Sequence, residues 1–99
     1  MAAALVSKGS IADLIGVSVV YRYKPDVLVQ LARHGVMPKA TTPPTTARAV
    51  VNDIYRYELR KLRDRYLVGE FSKQAYYDKV VETRNRYPVM MILTRFWTE

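Results

Sequence analysis

Between Thr42 and Gly69 apolar residues return at helical spacing. With Val51 as the zero of a helical wheel, Ala47, Ile54, Tyr55, Leu59, Leu62 and Tyr66 fall in one broad sector. Arg56, Arg60 and Arg63 fall opposite, with Asp53 and Asp64 beside them. The pattern predicts one long helix over about 43–68 that buries one face and shows the other. Its ends are marked as well. Thr42 is placed to cap the first turn, and Pro43 and Pro44 suit positions where a missing N–H costs nothing. Gly69 supplies a residue that can turn left-handed and stop the helix.

The flanking segments carry shorter patterns. Ser10-Ile-Ala-Asp13 has the spacing of a capping box, and Ile11, Leu14, Ile15 and Ser18 share a helical face, which predicts a helix to about Ser18. From Val17 to Tyr23 β-branched and aromatic residues alternate as in a strand. No second strand pattern stands out to pair with it, so helix is the preferred reading of 17–23. Pro25 to His34 predicts the next helix, with Val27, Leu28, Leu31 and Ala32 as its apolar face and Gly35 as its stop. After a connector, Ser72 is a good cap for a helix over 73–87, ended by Pro88, which disfavours helical geometry in the residue before it. The link from Gly69 to Ser72 is so short that this helix is expected to run antiparallel to the long one. The expected fold is all-α, a small bundle of about four helices in a single domain spanning 1–99, with 1–9 mobile or loosely packed.

The C-terminal tail is strongly apolar. Met90, Met91, Ile92, Leu93, Phe96 and Trp97 would present an unusually large apolar patch to water. Folding back over the core is the preferred reading, and docking on a partner the alternative.

Two stretches resemble known families. Leu62 to Val80 has a leucine-containing charged helix, a glycine turn, a hydroxyl restart and aromatics, and is similar to the short C-terminal helical hairpins called SHOCT. That resemblance implies an oligomerisation or docking role, in a family whose members are attached to other domains. Ile11-Ala-Asp-Leu-Ile-Gly-Val-Ser18 followed by Val20-Tyr-Arg-Tyr23 resembles the helix-turn-helix of bacterial DNA-binding regulators, Ala12 and Gly16 meeting its small-residue and turn positions. Val20 follows Gly16 by four positions where that family has six, a loss that rotates the second helix by about 200°.

Composition narrows the chemistry. Hydrophobic residues make up 49% of the chain, enough to build a core despite a net charge of +7. Cysteine is absent, which removes disulfides, thiolate metal sites and cysteine nucleophiles. Lys8 follows the short N-terminal apolar run, the reverse of a secretory signal, and no apolar run approaches the roughly 20 residues of a membrane span. A cytoplasmic or other reducing intracellular setting is the expectation. His34, the only histidine, sits in the last turn of its helix, where its role reads as structural, since no second histidine or cysteine can join it.

No phosphate loop, paired-carboxylate spacing or nucleophile with its base is visible, so no catalytic residue, cofactor or metal is expected. Glu58 falls inside the apolar sector of the long helix with Arg65 close to the same line, which suggests a buried ion pair. The stripe of Arg56, Arg60 and Arg63 is the candidate basic patch. The leading expectation is a non-enzymatic adaptor module, a small basic subunit that docks on a larger protein assembly or on itself. The first alternative is nucleic-acid binding through the arginine stripe. The second is a subunit of an enzyme whose site forms only with a partner.

Overall fold

In the computed structural model, residues 19–99 are described, and they are all-α apart from one isolated bridge. The expected helix over 10–18, the mobile segment 1–9 and the first part of the helix-turn-helix-like stretch lie outside the described residues. Three α-helices follow one another: α1 (Pro25–Ala32), α2 (Pro44–Leu67) and α3 (Lys73–Asn85). Two short 3-10 turns complete the chain, Pro88–Met91 and Thr94–Phe96.

Proline and glycine punctuate these helices. Pro25 opens α1 with Asp26 in the first turn, where its charge favours the positive helix end. At the other end, Val36 N–H donates to Leu31 O and Gly35 N–H to Ala32 O. Gly35 sits at φ +77°, and the pair of bonds is a Schellman stop. The same device closes α2: Gly69 at φ +83° donates to Tyr66 O, and Glu70 N–H reaches back to Arg65 O. Ser72 caps α3 by accepting from Ala75 N–H at 3.1 Å. That helix ends at Asn85, and Tyr87 takes a non-helical φ of −123° ahead of Pro88.

Two local expectations are corrected. Thr42 does not cap α2: its hydroxyl accepts from Lys39 N–H and closes the preceding turn, and Pro43 holds the N-cap position with no side-chain bond. Residues 19–23 are not helical. Tyr23 bridges Thr98 in antiparallel sense, Lys24 N–H donates to Trp97 O, and Glu99 N–H donates to Arg22 O. On the other side Tyr21 N–H donates to Ala40 O. The alternating segment satisfies its backbone with the chain's last residues, whose own sequence carries no strand pattern.

The core lies at one end of α2. Val27 and Leu31 from α1, Ala47 and Val51 from the first half of α2, and Tyr23, Val36, Tyr87, Val89 and Trp97 form one buried cluster. Tyr21, Ile54, Tyr55, Met90 and Ile92 pack on its edge. The tail therefore folds back, but only in part: Trp97 and Val89 are fully buried, while Met91, Leu93 and Phe96 stay exposed. Arg48 fixes this arrangement by donating to Met90 O at 2.9 Å and Ile92 O at 3.0 Å, and Trp97 Nε1–H also donates to Ile92 O. Carbonyls that no regular helix could satisfy are met by side chains instead.

Beyond the core, the second half of α2 continues alongside α3. Tyr66 stacks on Tyr76 near the turn, with ring centroids 4.6 Å apart, and Glu58 meets Arg86 far from it. From 52 to 82 no residue is fully buried. The 24 residues of α2 extend about 36 Å, so much of this helix forms an arm outside the core.

Candidate functional site

Where the arm leaves the core, a polar network replaces the expected ion pair. Glu58 does not pair with Arg65. Arg86 donates to Glu58 Oε1 at 2.7 Å, and the Tyr87 hydroxyl donates to Oε2. Arg65 pairs with Glu70 at 2.7 Å, in an exposed position at the tip. The reason is distance along the helix. Seven residues separate Glu58 from Arg65 by about 10.5 Å, whereas the end of α3 delivers Arg86 and Tyr87 directly opposite Glu58.

Burial pushes the Glu58 carboxyl up, but the hydrogen bonds from Tyr87 and Arg86, helped by the charges of Arg86 and His34, outweigh it and hold the group below the usual carboxylate range. The Tyr87 phenol is held well above its ordinary range by burial first and then by its bond to Glu58. The Tyr23 phenol is also raised by burial, and it donates to Thr42 O at 2.6 Å. His34 stacks flat on Tyr87, with centroids 4.0 Å apart. It joins the packing of the core edge. This network holds helix ends together with its hydrogen bonds satisfied internally.

The arm has two grooves, one on each side of the seam between α2 and α3. The first is lined by Glu58, Arg65, Lys79, Glu82 and Arg86 among others, and its cations are occupied. Arg86 is on Glu58 and Arg65 on Glu70, Arg65 and Lys79 both approach the Phe71 ring, and Lys61 lies 5.4 Å over Tyr57. The second groove is lined by Arg56, Leu59, Arg60, Arg63 and Tyr76. The three arginines singled out from the sequence thus share one surface with an apolar floor. All three are exposed. Among the described residues they take part in none of the side-chain hydrogen bonds, ion pairs or ring contacts that occupy the opposite groove.

At the tip of the arm Leu67 and Val68 are 68% and 75% exposed, and Tyr57 and Tyr77 show more than half their surface. Of the tail residues considered for docking, Met90, Ile92 and Trp97 are engaged with the core, leaving Met91, Leu93 and Phe96 outside. Sequence reasoning missed Arg86, Tyr87, Arg48 and Tyr76 as partners. A count from the turn does not find Arg86, since Glu58 lies well nearer to Gly69 in the sequence than Arg86 does. Nothing in the sequence marks Arg48 as the clamp of a tail more than forty residues away.

Among the described residues no group of three or more metal-ligating side chains comes together, and no helix is long and apolar enough to cross a membrane. Comparison with protein-family models, curated proteins and solved structures gives no match for this chain, so the use of the arginine groove has to be read from its own chemistry.

Proposed function

We propose that this chain is a non-enzymatic interaction module that docks on a larger protein assembly through the arm formed by α2 and α3, working as a hairpin. One observation carries the reading: from 52 to 82 the arm holds no buried residue, while Leu67, Val68, Tyr57 and Tyr77 stand open to water. Helices in proteins owe most of their stability to packing of an apolar face. Two helices with a half-covered seam bury little, and a further helix laid against them supplies the missing cover, as in helix-in-groove recognition. Tyrosine and arginine, both plentiful on this arm, are the residues that anchor protein interfaces. A reducing intracellular setting suits a chain without cysteine.

The second reading is nucleic-acid binding, favoured by the three unengaged arginines and the net charge of +7. The experiment that separates them uses the full chain as bait in native extract, with and without nuclease. A companion variant carries Tyr57→Ser, Leu67→Ser and Val68→Ser, exposed positions whose change leaves the core intact. Retention of a protein that survives nuclease and is lost with the variant is the expected outcome. Retention that disappears with nuclease supports the second reading instead.

A further inference from the structure

We infer that the groove of Arg56, Leu59, Arg60, Arg63 and Tyr76 receives an acidic amphipathic helix of a protein partner, with carboxylates on the three arginines and apolar side chains on Leu59 and Tyr76. The inference rests on the docking reading above and names the chemistry of its occupant. Charge complementarity selects that occupant. The arginines stand at i, i+4 and i+7 along α2, a span of about 10.5 Å. An incoming helix with Glu or Asp at the same spacing presents three carboxylates to them at once, and guanidinium groups bind carboxylates bidentately.

The surface also has a direction. Leu67, four residues past Arg63 on the same stripe, is exposed, while Asp53, three residues before Arg56, is exposed at the other end. The matching helix is therefore apolar toward Leu67, acidic in the middle, and free of carboxylates toward Asp53.

Other occupants fit less well. A second copy would set the same three arginines against themselves, between chains that each carry +7. A phosphate backbone satisfies the arginines but leaves the apolar Leu59 and Leu67 uncovered. The opposite groove holds more cations, Lys61, Arg65, Lys79 and Arg86, yet those are already committed to Glu58, Glu70, Tyr57 and Phe71.

The test uses the full chain and a labelled designed peptide of about three heptads, with a leucine stripe flanked by glutamates at i, i+4 and i+7. A second peptide replaces those glutamates with lysines. Fluorescence anisotropy at physiological ionic strength reads binding, and duplex DNA and single-stranded RNA of similar charge are measured in parallel. The acidic peptide is expected to bind and the lysine peptide not to. Substitution of Arg56→Gln/Arg60→Gln/Arg63→Gln should weaken binding roughly tenfold or more, because three modest exposed pairs are lost together. Lys61→Gln/Lys79→Gln, on the other side of the arm, should leave it within about twofold. Circular dichroism of each variant reports that it is folded.

Equal binding by the triple variant overturns the inference, as does failure of the acidic peptide to bind. Tighter binding of nucleic acid that depends on the three arginines, or a dimer in sedimentation that excludes the peptide, overturns it too. Where the nuclease-resistant protein is still captured by the triple variant, the inference falls and the docking reading stands. Where nuclease abolishes all capture, both fall.

Discussion

Glu58 shows how a single carboxylate ties two helices at the base of the arm. It accepts from Arg86 and from the buried Tyr87 hydroxyl, whereas Asp64, six residues on, faces water with no such partner. Removing the acceptor leaves a buried phenol without its bond, which costs about 1–3 kcal/mol. Asp64→Ala should cost less than about 0.5 kcal/mol, as an exposed change away from such features does. Urea unfolding of Glu58→Ala and Asp64→Ala therefore separates a carboxylate that ties the two helices from one that only faces water, and equal midpoints would remove Glu58 from this role. The pH dependence follows from the direction of its shift. A carboxyl held lower in the fold than in the unfolded chain adds stability that is present above the unfolded value, about 4.3, and lost as pH falls through the lowered folded value. Glu58→Gln keeps an acceptor for Tyr87 but has no charge to lose. Its stability should fall furthest below the unchanged chain near neutral pH and approach it in acid.

At the scale of elements, the C-terminal tail is less an appendage than a missing wall of the core. Trp97 is 0% exposed, packs in the cluster with Val51 and Leu31, and gives its indole N–H to Ile92 O. Arg48 donates to that same Ile92 carbonyl and to Met90 O, and its guanidinium lies 6.0 Å from the Trp97 ring. Trp97→Ala should thus destabilise the domain by about 3–5 kcal/mol, the range for a large aromatic removed from a core. Thermal unfolding followed by circular dichroism measures it. Phe96→Ala is the contrast: Phe96 is about half exposed and should change little. If the two variants melt together, the tail is not part of the core. Truncation before Phe96 would likewise act by removing Trp97, so loss of a partner on truncation would report unfolding.

For the whole molecule, burial divides α2 into a first half inside the core and a second half in the arm. Amides of Val51 and Leu31 lie among fully buried side chains, while those from 59 to 66 lie in helix with only half-buried neighbours. Local opening follows buried contact, so hydrogen exchange should be slowest around Leu31 and Val51 and faster along 59–66 and 76–82. Binding of a partner along the arm should slow exchange there and leave the core unchanged. Uniform protection along all of α2 in the isolated chain would mean that the arm is stable uncovered, and would weaken the case for an occupant.

The helices were legible because their signals are local. Periodicity, the prolines at helix starts, Ser72 as a cap and the glycines at positive φ act within a few residues, and the structure keeps α2 and α3 within two residues of the expected ends. The exposure of Arg56, Arg60 and Arg63 was legible for the same reason, since a helical wheel alone fixes which side they share. Thr42 marks the limit of local reading, because its hydroxyl had two nearby N–H groups to choose from and closed the earlier turn. The sequence by itself therefore determined an all-α chain with one long helix and a basic stripe on it. Tertiary structure alone decided that residues 19–23 are not helical, because Tyr21, Arg22 and Tyr23 find their backbone partners at Ala40, Glu99 and Thr98, far along the chain. It alone decided that Glu58 meets Arg86, that Arg48 clamps the tail, and that Trp97 lies inside while Phe96 lies outside. Each of these depends on contact between segments distant in sequence, and a pattern of 3.6 residues carries no information about what packs across it.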